Sequence, residues 1–208
     1  MVGNKKEISD WNFIWRETLN NLRVTPVKDK KALFRLSLEE VTLEGLYLEF
    51  GVYKGKTINY LAKMINPKII YGFDSFEGLK GEAYPGFKWS PGEDFDLKGK
   101  IPKVEENVVL IKGFFKDTIE PFLEENTLPI AFAHLDADLY SSTREALWGI
   151  DQRIKVGTIL QFDELVLDWY RGEYQAFKEF CHFKDMWFKC LGMNYPSVSV
   201  KITKRGKK

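Results

Sequence analysis

The chain has 208 residues, with 31 Lys and Arg against 30 Asp and Glu, so its formal net charge is +1. Hydrophobic residues at 44% and charged residues at 29% are the mix of a folded chain, which excludes wholesale disorder, and the near-neutral balance gives no electrostatic ground for a nucleic-acid partner. No apolar run reaches the roughly 18 residues of a membrane span, and MVGNKKEISDWNF lacks the apolar core of a secretory signal.

Residues 1–45 read as N-terminal helices. Trp11, Ile14, Trp15, Leu19 and Leu22 recur at helical spacing over Ser9 to Val24, and Thr25-Pro26 breaks that pattern. A second helix is expected from Asp29 to Val41, with Leu33, Phe34, Leu36 and Leu38 as its apolar positions. After Gly45 short apolar runs alternate with amphipathic segments. The runs are Leu46–Phe50, Ile69–Asp74, Val108–Ile111, Ile130–Leu135 and Thr158–Asp163, and the helical patterns are Thr57–Ile65, Asp117–Glu125 and Ser142–Ile154. Near-continuous apolar strands separated by helices predict an α/β fold: a Rossmann-like, doubly wound, mostly parallel sheet with helices on both faces. Trp187–Gly192 and Val198–Thr203 flank Met193-Asn194-Tyr195-Pro196, which predicts an antiparallel C-terminal strand pair at the sheet edge. Residues 77–107 are too long for a simple turn, and Tyr84, Phe87, Trp89 and Phe95 there favour a lid or insertion loop. The expected organisation is one domain over residues 1–208.

Cys181 and Cys190 are the only cysteines, and a core of this size needs no bridge. Both are expected reduced, and the protein cytoplasmic. With His134 and His182 alone, a His-rich zinc centre is disfavoured.

The first apolar run leads into Gly51-Val52-Tyr53-Lys54-Gly55-Lys56-Thr57. Gly51 permits a tight turn beneath a ligand, and Gly55 lets the next helix start with free N–H groups facing the crevice. The spacing is not that of the dinucleotide pattern, which weakens a nicotinamide dehydrogenase. An ordinary strand–helix turn would look the same. Asp74 ends the second run, where a carboxylate can accept ribose hydroxyls; the plain alternative is a helix N-cap.

Asp136 and Asp138 follow the fourth run, and Asp163 and Glu164 follow the fifth. Adjacent strand ends would bring these acids to one crevice. Asp136, Asp163 and Glu164 then offer three hard oxygen ligands that suit Mg²⁺, which would also relieve their mutual repulsion. Helix caps and exposed turn acids are the bland alternative, and Asp138 alone would serve as one.

Taken together, LEFGVYKGKT, YGFDSFEGL, VLIKGFFKDT, HLDADLYSSTREAL and LQFDE resemble, in order, the class I S-adenosylmethionine-dependent methyltransferases. More narrowly they resemble the macrocin O-methyltransferase family, which methylates sugar hydroxyls with the help of Mg²⁺. The resemblance implies that Glu49, Gly51 and Gly55 hold the methionine end of the cofactor, with Thr57 beside them. Asp74 would hold the ribose, with Ser75 near it. Gly113, Phe114 and Asp117 would form the adenine wall. Asp136, Asp163 and Glu164 would bind the metal, Asp136 bordering the cofactor as well, and Asp138 would be the general base. The acceptor would be a hydroxyl of a sugar or other small molecule. Two positions depart from the pattern: Asp163-Glu164 stands where the family has Asp-Asp, and Leu139 stands where related catechol methyltransferases carry a lysine.

A metal-dependent glycosyltransferase would also use a D-x-D strand end, but it leaves the glycine turn and Asp74 unexplained. A non-catalytic cofactor-binding protein is a third alternative. His134 and His182 are alternatives for the base, but His134 is expected in the core or supporting the site from behind, and His182 on the surface or against the lid. Tyr170, Arg171 and Tyr174 follow the fifth run and are candidates for substrate contact. Lys201, Lys204, Arg205, Lys207 and Lys208 read as a solubilising tail. Membrane and nucleic-acid partners are not expected, and self-association into a homo-oligomer stays open.

Overall fold

The computed structural model describes residues 25–80, 95–166 and 172–206. Thr25–Pro26 form β1. Asp29 then takes an extended backbone, and its side chain accepts the Ala32 N–H at 2.7 Å, capping α1 (Lys30–Glu39). The remaining elements are β2 (Leu46–Phe50), α2 (Lys56–Ile65), β3 (Ile70–Asp74), β4 (Val108–Lys112), α3 (Phe115–Glu125), β5 (Ile130–Leu135), α4 (Tyr140–Ile150), β6 (Ile159–Phe162), α5 (Gly172–Lys184), β7 (Met186–Asn194) and β8 (Ser197–Arg205). The helix expected from Ser9 to Val24 lies outside the described residues.

Eight strands form one sheet in the order β1-β7-β8-β6-β5-β2-β3-β4. Only β8 runs against its neighbours β6 and β7; every other pairing is parallel. The fold is therefore the mostly parallel α/β sheet with an antiparallel C-terminal hairpin. The hairpin joins through its second strand, so β7 lies one place further out than β8. Thr25-Pro26, expected as a simple break, adds a short parallel strand outside β7. An edge position suits proline, which cannot donate a ladder hydrogen bond.

Two helix starts differ from expectation. α3 begins at Phe115 because Phe114 already holds the extended N-cap backbone, and α4 begins at Tyr140 behind an extended Leu139. α4 also ends at Ile150, and Asp151–Arg153 tighten into a 3-10 turn before the buried Ile154.

Because side chains alternate along a strand, the sheet builds two cores. Leu48, Phe50, Phe73, Leu135 and Phe162 cluster with Ile119, Leu147 and Phe177 of α3, α4 and α5. Tyr47, Ile70, Phe132 and Ile159 cluster on the opposite face with Phe34 of α1 and Ile58, Leu61 and Ala62 of α2. α1 is also fastened by polar contacts. Ser37 Oγ lies 2.8 Å from Gln161 Oε1 and 2.7 Å from Ser199 Oγ, all three residues being buried.

From β2 the chain winds outward through β3 and β4, then returns to place β5 on the other side of β2. The carboxyl ends of β2 and β5 thus flank the switch point, where open α/β sheets bind ligands.

Candidate active site

Gly51 follows β2 at the switch point with φ +90°. Its N–H donates to the Phe73 carbonyl at 3.0 Å, and the Asp136 N–H donates to the Phe50 carbonyl at 2.9 Å. These bonds bring the ends of β2, β3 and β5 together. Asp74 locks the turn that follows. Its Oδ2 accepts the N–H groups of Val52 and Tyr53 at 2.8 Å each, and its Oδ1 accepts that of Phe76 at 2.7 Å. Gly55 then takes a left-handed backbone (φ +76°) and starts α2 without any side-chain cap. The first N–H groups of α2 are thereby left for another partner.

A cavity of about 450 Å³ opens over these strand ends. On one side it is lined by Gly51, Thr57, Asp74 and Ser75, and next to them by Gly113 and Phe114. The opposite side is acidic, with Asp136, Asp138, Asp163 and Glu164. Three residues expected to touch a cofactor stand apart from this lining. Glu49 is fully buried beneath it, Gly55 is buried where it shapes the start of α2, and Asp117 is exposed on the first turn of α3. The flanks of the 77–107 segment contribute Leu79, Lys80 and Phe95, and the Phe95 ring meets Tyr53 edge-on at 5.1 Å. Tyr84, Phe87 and Trp89, like Tyr170 and Arg171, lie outside the described residues. Tyr174 is buried in α5, and His182 is exposed on it.

The acidic side contains a cation that local sequence reasoning missed. Lys30, the first residue of α1, forms an ion pair with Asp163 Oδ1, and its Nζ lies 3.6 Å from Asp136 Oδ2. Ser197 Oγ is 3.0 Å from the same Asp163 oxygen. Burial works against the Lys30 charge, but Asp136 and Asp163 outweigh it and hold the ammonium above the ordinary lysine value. Burial also pushes Asp163 up, yet Lys30 prevails and keeps it below the usual carboxylate range. Asp136 goes the other way: burial and the neighbouring Asp163 charge raise it well above that range. The ammonium thus pairs chiefly with an ionised Asp163.

Beneath the acids, His134 Nδ1 lies 3.3 Å from Glu49 Oε2, both side chains being fully buried. Burial drives His134 down to about 3 and, with Asp136 second, drives Glu49 well above its ordinary value. Both are therefore neutral, and they share a hydrogen bond between Nδ1 and Oε2 whose direction follows the imidazole tautomer. His134 also meets the Phe34 ring edge-on at 5.0 Å, the core role expected for it. Asp138 takes a left-handed backbone (φ +53°), and burial, then Glu164 and Asp163, push its carboxyl up to about 7.

Ligand atoms of His134, Asp136 and Asp163 lie within 4.8 Å of one another, and Glu164 is not part of that group. The Glu164 N–H instead donates to buried Glu173 Oε2 at 2.8 Å. Mg²⁺ would need carboxylate oxygens at about 2.0–2.1 Å, in the space between Asp136 and Asp163 where the Lys30 ammonium sits. With Lys30 so placed, its ammonium and a divalent ion would compete for the same carboxylate oxygens.

A glycine turn, an acid at the neighbouring strand end and a carboxylate cluster all stand at the switch point, where doubly wound folds bind nucleotide-type cofactors. Residues 48–165, more than half of the chain, match the family model described as a methyltransferase domain. The chain belongs to that family and is an S-adenosylmethionine-dependent methyltransferase. A search of curated proteins returned no significant match. Among solved structures, apo CalS11, a TDP-rhamnose 3'-O-methyltransferase of calicheamicin biosynthesis, is 22% identical with a TM-score of 0.61, over 97% of this chain and 96% of its own. The O-methyltransferase NovP is 20% identical with a TM-score of 0.62, over 84% and 80%. TomG of Streptomyces achromogenes, an O-methyltransferase of tomaymycin synthesis solved with S-adenosylmethionine, is 17% identical with a TM-score of 0.53, over 98% and 92%. At these identities the three establish the shared fold. Among the described residues, no helix is long and apolar enough to cross a membrane, and Cys181 and Cys190 are free thiols.

Proposed function

We propose that the chain is an O-methyltransferase of the macrocin type, acting on a hydroxyl of a sugar or similar small molecule. One observation carries this reading. A single cavity is bordered on one side by the Gly51 turn, Asp74 and Phe114, and on the other by a carboxyl poised near neutrality, Asp138. S-adenosylmethionine, when bound, supplies an electrophilic methyl on a sulfonium sulfur.

The chain's own residues divide the remaining work. Asp74 fixes the turn through three backbone N–H groups, and its one remaining lone pair, on Oδ1, accepts a ribose hydroxyl, with Ser75 alongside. The uncapped start of α2 at Lys56 and Thr57 receives the methionine carboxylate. Gly113 leaves room for adenine, and the Phe114 ring forms its flat wall. Asp138 takes the acceptor proton, since a base near 7 is half ionised at neutral pH and strong enough to assist a hydroxyl. Glu49 supports this arrangement from below through His134, and Gly55 through the placing of α2.

CalS11 acts on TDP-rhamnose at a sugar hydroxyl, which favours a sugar acceptor here. The setting proposed is the cytoplasm, with a water-soluble acceptor. The test uses S-adenosylmethionine carrying a labelled methyl, with a panel of nucleotide-linked sugars and simple glycosides. A labelled methyl ether that survives mild base supports the proposal. A base-labile methyl ester, or no transfer to any sugar by protein that binds the cofactor, overturns it.

A further inference from the structure

We infer that the Lys30 ammonium is the resident cation of this site, seated between Asp136 and Asp163 so that the acidic cluster is held together without a divalent metal. The proposed methyl-transfer site is taken as given, but the charge arrangement stands on its own geometry.

Two ionised acids at adjacent strand ends repel, and a cation beside them or a proton on one of them relieves this. Asp136 follows β5 and Asp163 follows β6, strands that pair directly, so the sheet forces the two carboxylates close. Lys30 meets both. The lysine is not a loose surface side chain that happens to reach inward. Asp29 caps the helix turn that carries it. Leu33 and Phe34 of the same turn are buried, and the ammonium lies 5.8 Å from the Phe34 ring centroid. One turn further on, Ser37 contacts buried Gln161 of β6 and Ser199 of β8. At the far end of the helix, Lys201 Nζ donates to the Glu40 carbonyl at 2.7 Å. α1 is therefore fixed at both ends, and the root of the Lys30 side chain is fixed with it.

A bridging divalent ion and a bridging ammonium would compete for one place, and two cations a few ångströms apart would repel strongly in a partly buried site. Lys30 acts here as a positioning residue. It sets the spacing and charge of Asp136 and Asp163, which line the cavity, while Lys30 itself is not among the lining residues.

The test is Mn²⁺ binding, read from the amplitude of the free-ion paramagnetic resonance signal, on full-length protein stripped with chelator. Wild type is expected to leave the signal of free Mn²⁺ nearly undiminished. Lys30→Met is expected to take up one equivalent, with affinity higher by about tenfold or more. Lys30→Arg, which keeps the charge, should behave as wild type, and adding Asp163→Asn to Lys30→Met should abolish the acquired binding. Equal affinity of wild type and Lys30→Met, tight or weak, overturns the inference. If Lys30→Met does not fold, wild type decides: one tightly bound equivalent that is lost in Asp163→Asn overturns it, and no uptake supports it. Calorimetry with S-adenosylmethionine on the same wild-type sample reports on the methyl-transfer reading separately, because loss of cofactor binding there leaves the Mn²⁺ result standing.

Discussion

Gly51 stands so close to Asp136 that a Cβ on it would fall 1.9 Å from the Asp136 carbonyl oxygen. The turn proposed to hold the cofactor and the strand end that carries the acids are thus in backbone contact. This contact, with the left-handed φ of Gly51, sets the depth of the crevice.

Gly51→Ala is expected to force β2 and β5 apart at their carboxyl ends. Backbone cannot yield as a flexible side chain would, so the cost is about 3 kcal/mol or more. Urea denaturation should show this loss, and calorimetry should show no S-adenosylmethionine binding. A variant of parental stability that still binds the cofactor would refute the close approach.

Asp74 serves three N–H groups with two oxygens, two on Oδ2 and one on Oδ1. Asparagine keeps one oxygen and turns an N–H₂ toward donors at the other. Asp74→Asn is therefore expected to cost about 2 kcal/mol of stability and to weaken cofactor binding about tenfold or more, nearly as much as Asp74→Ala. If Asp74→Asn matched the parent in both measurements, the carboxylate would not be locking the turn.

Asp138→Asn tests the proposed base without disturbing the backbone, because asparagine tolerates the left-handed conformation at this position. Turnover is expected to fall by about 10²- to 10⁴-fold while S-adenosylmethionine affinity is kept. The ionised carboxylate is the active form and the carboxyl titrates at about 7. In the parent, kcat/KM should therefore climb with pH through about 7 and level off above it. That acid limb should vanish in the variant. Unchanged turnover in Asp138→Asn would assign the proton to another group.

Glu49 tests the buried pair beneath the site. Burial raises its value well above normal, so above about pH 4.3 the folded state still holds a proton that the unfolded state has lost. Stability from this group therefore falls as pH rises through that window. Glu49→Gln can offer His134 Nδ1 either an N–H donor or a carbonyl acceptor and has nothing to titrate. Its urea midpoint at pH 8 should equal or exceed that of the parent, and its decline from pH 5 to pH 8 should be shallower. The remaining slope comes from other raised acids such as Glu173. A midpoint well below that of the parent at pH 8 would mean that Glu49 is ionised in the folded protein.

The parts of the fold that were legible in the sequence share one physical cause. Strands buried on both faces are apolar along nearly their whole length, so Leu46–Phe50 and Ile130–Leu135 could be marked from composition alone despite Glu49 and His134. The acids at the ends of β5 and β6 were legible as a cluster because parallel neighbours end together. Burial on both faces also hides information. All five residues of β2 are buried, so nothing local says that Glu49 turns to His134 and not to the cavity. Asp117 was placed by motif, but α3 starts two residues earlier than its apolar pattern indicates, and the side chain sits on the exposed side of the first turn. Lys30 was not legible at all. Its partners lie over 100 positions away, and only the folding of α1 across the sheet brings them together. β1 is too short to carry any periodicity.

A crystal structure of the full chain with S-adenosylhomocysteine is expected to show adenine against Phe114, a ribose hydroxyl on Asp74 and the sulfur turned toward Asp138. A ligand bound outside this cavity, or one seated in it with its sulfur facing away from Asp138, would contradict the proposed function.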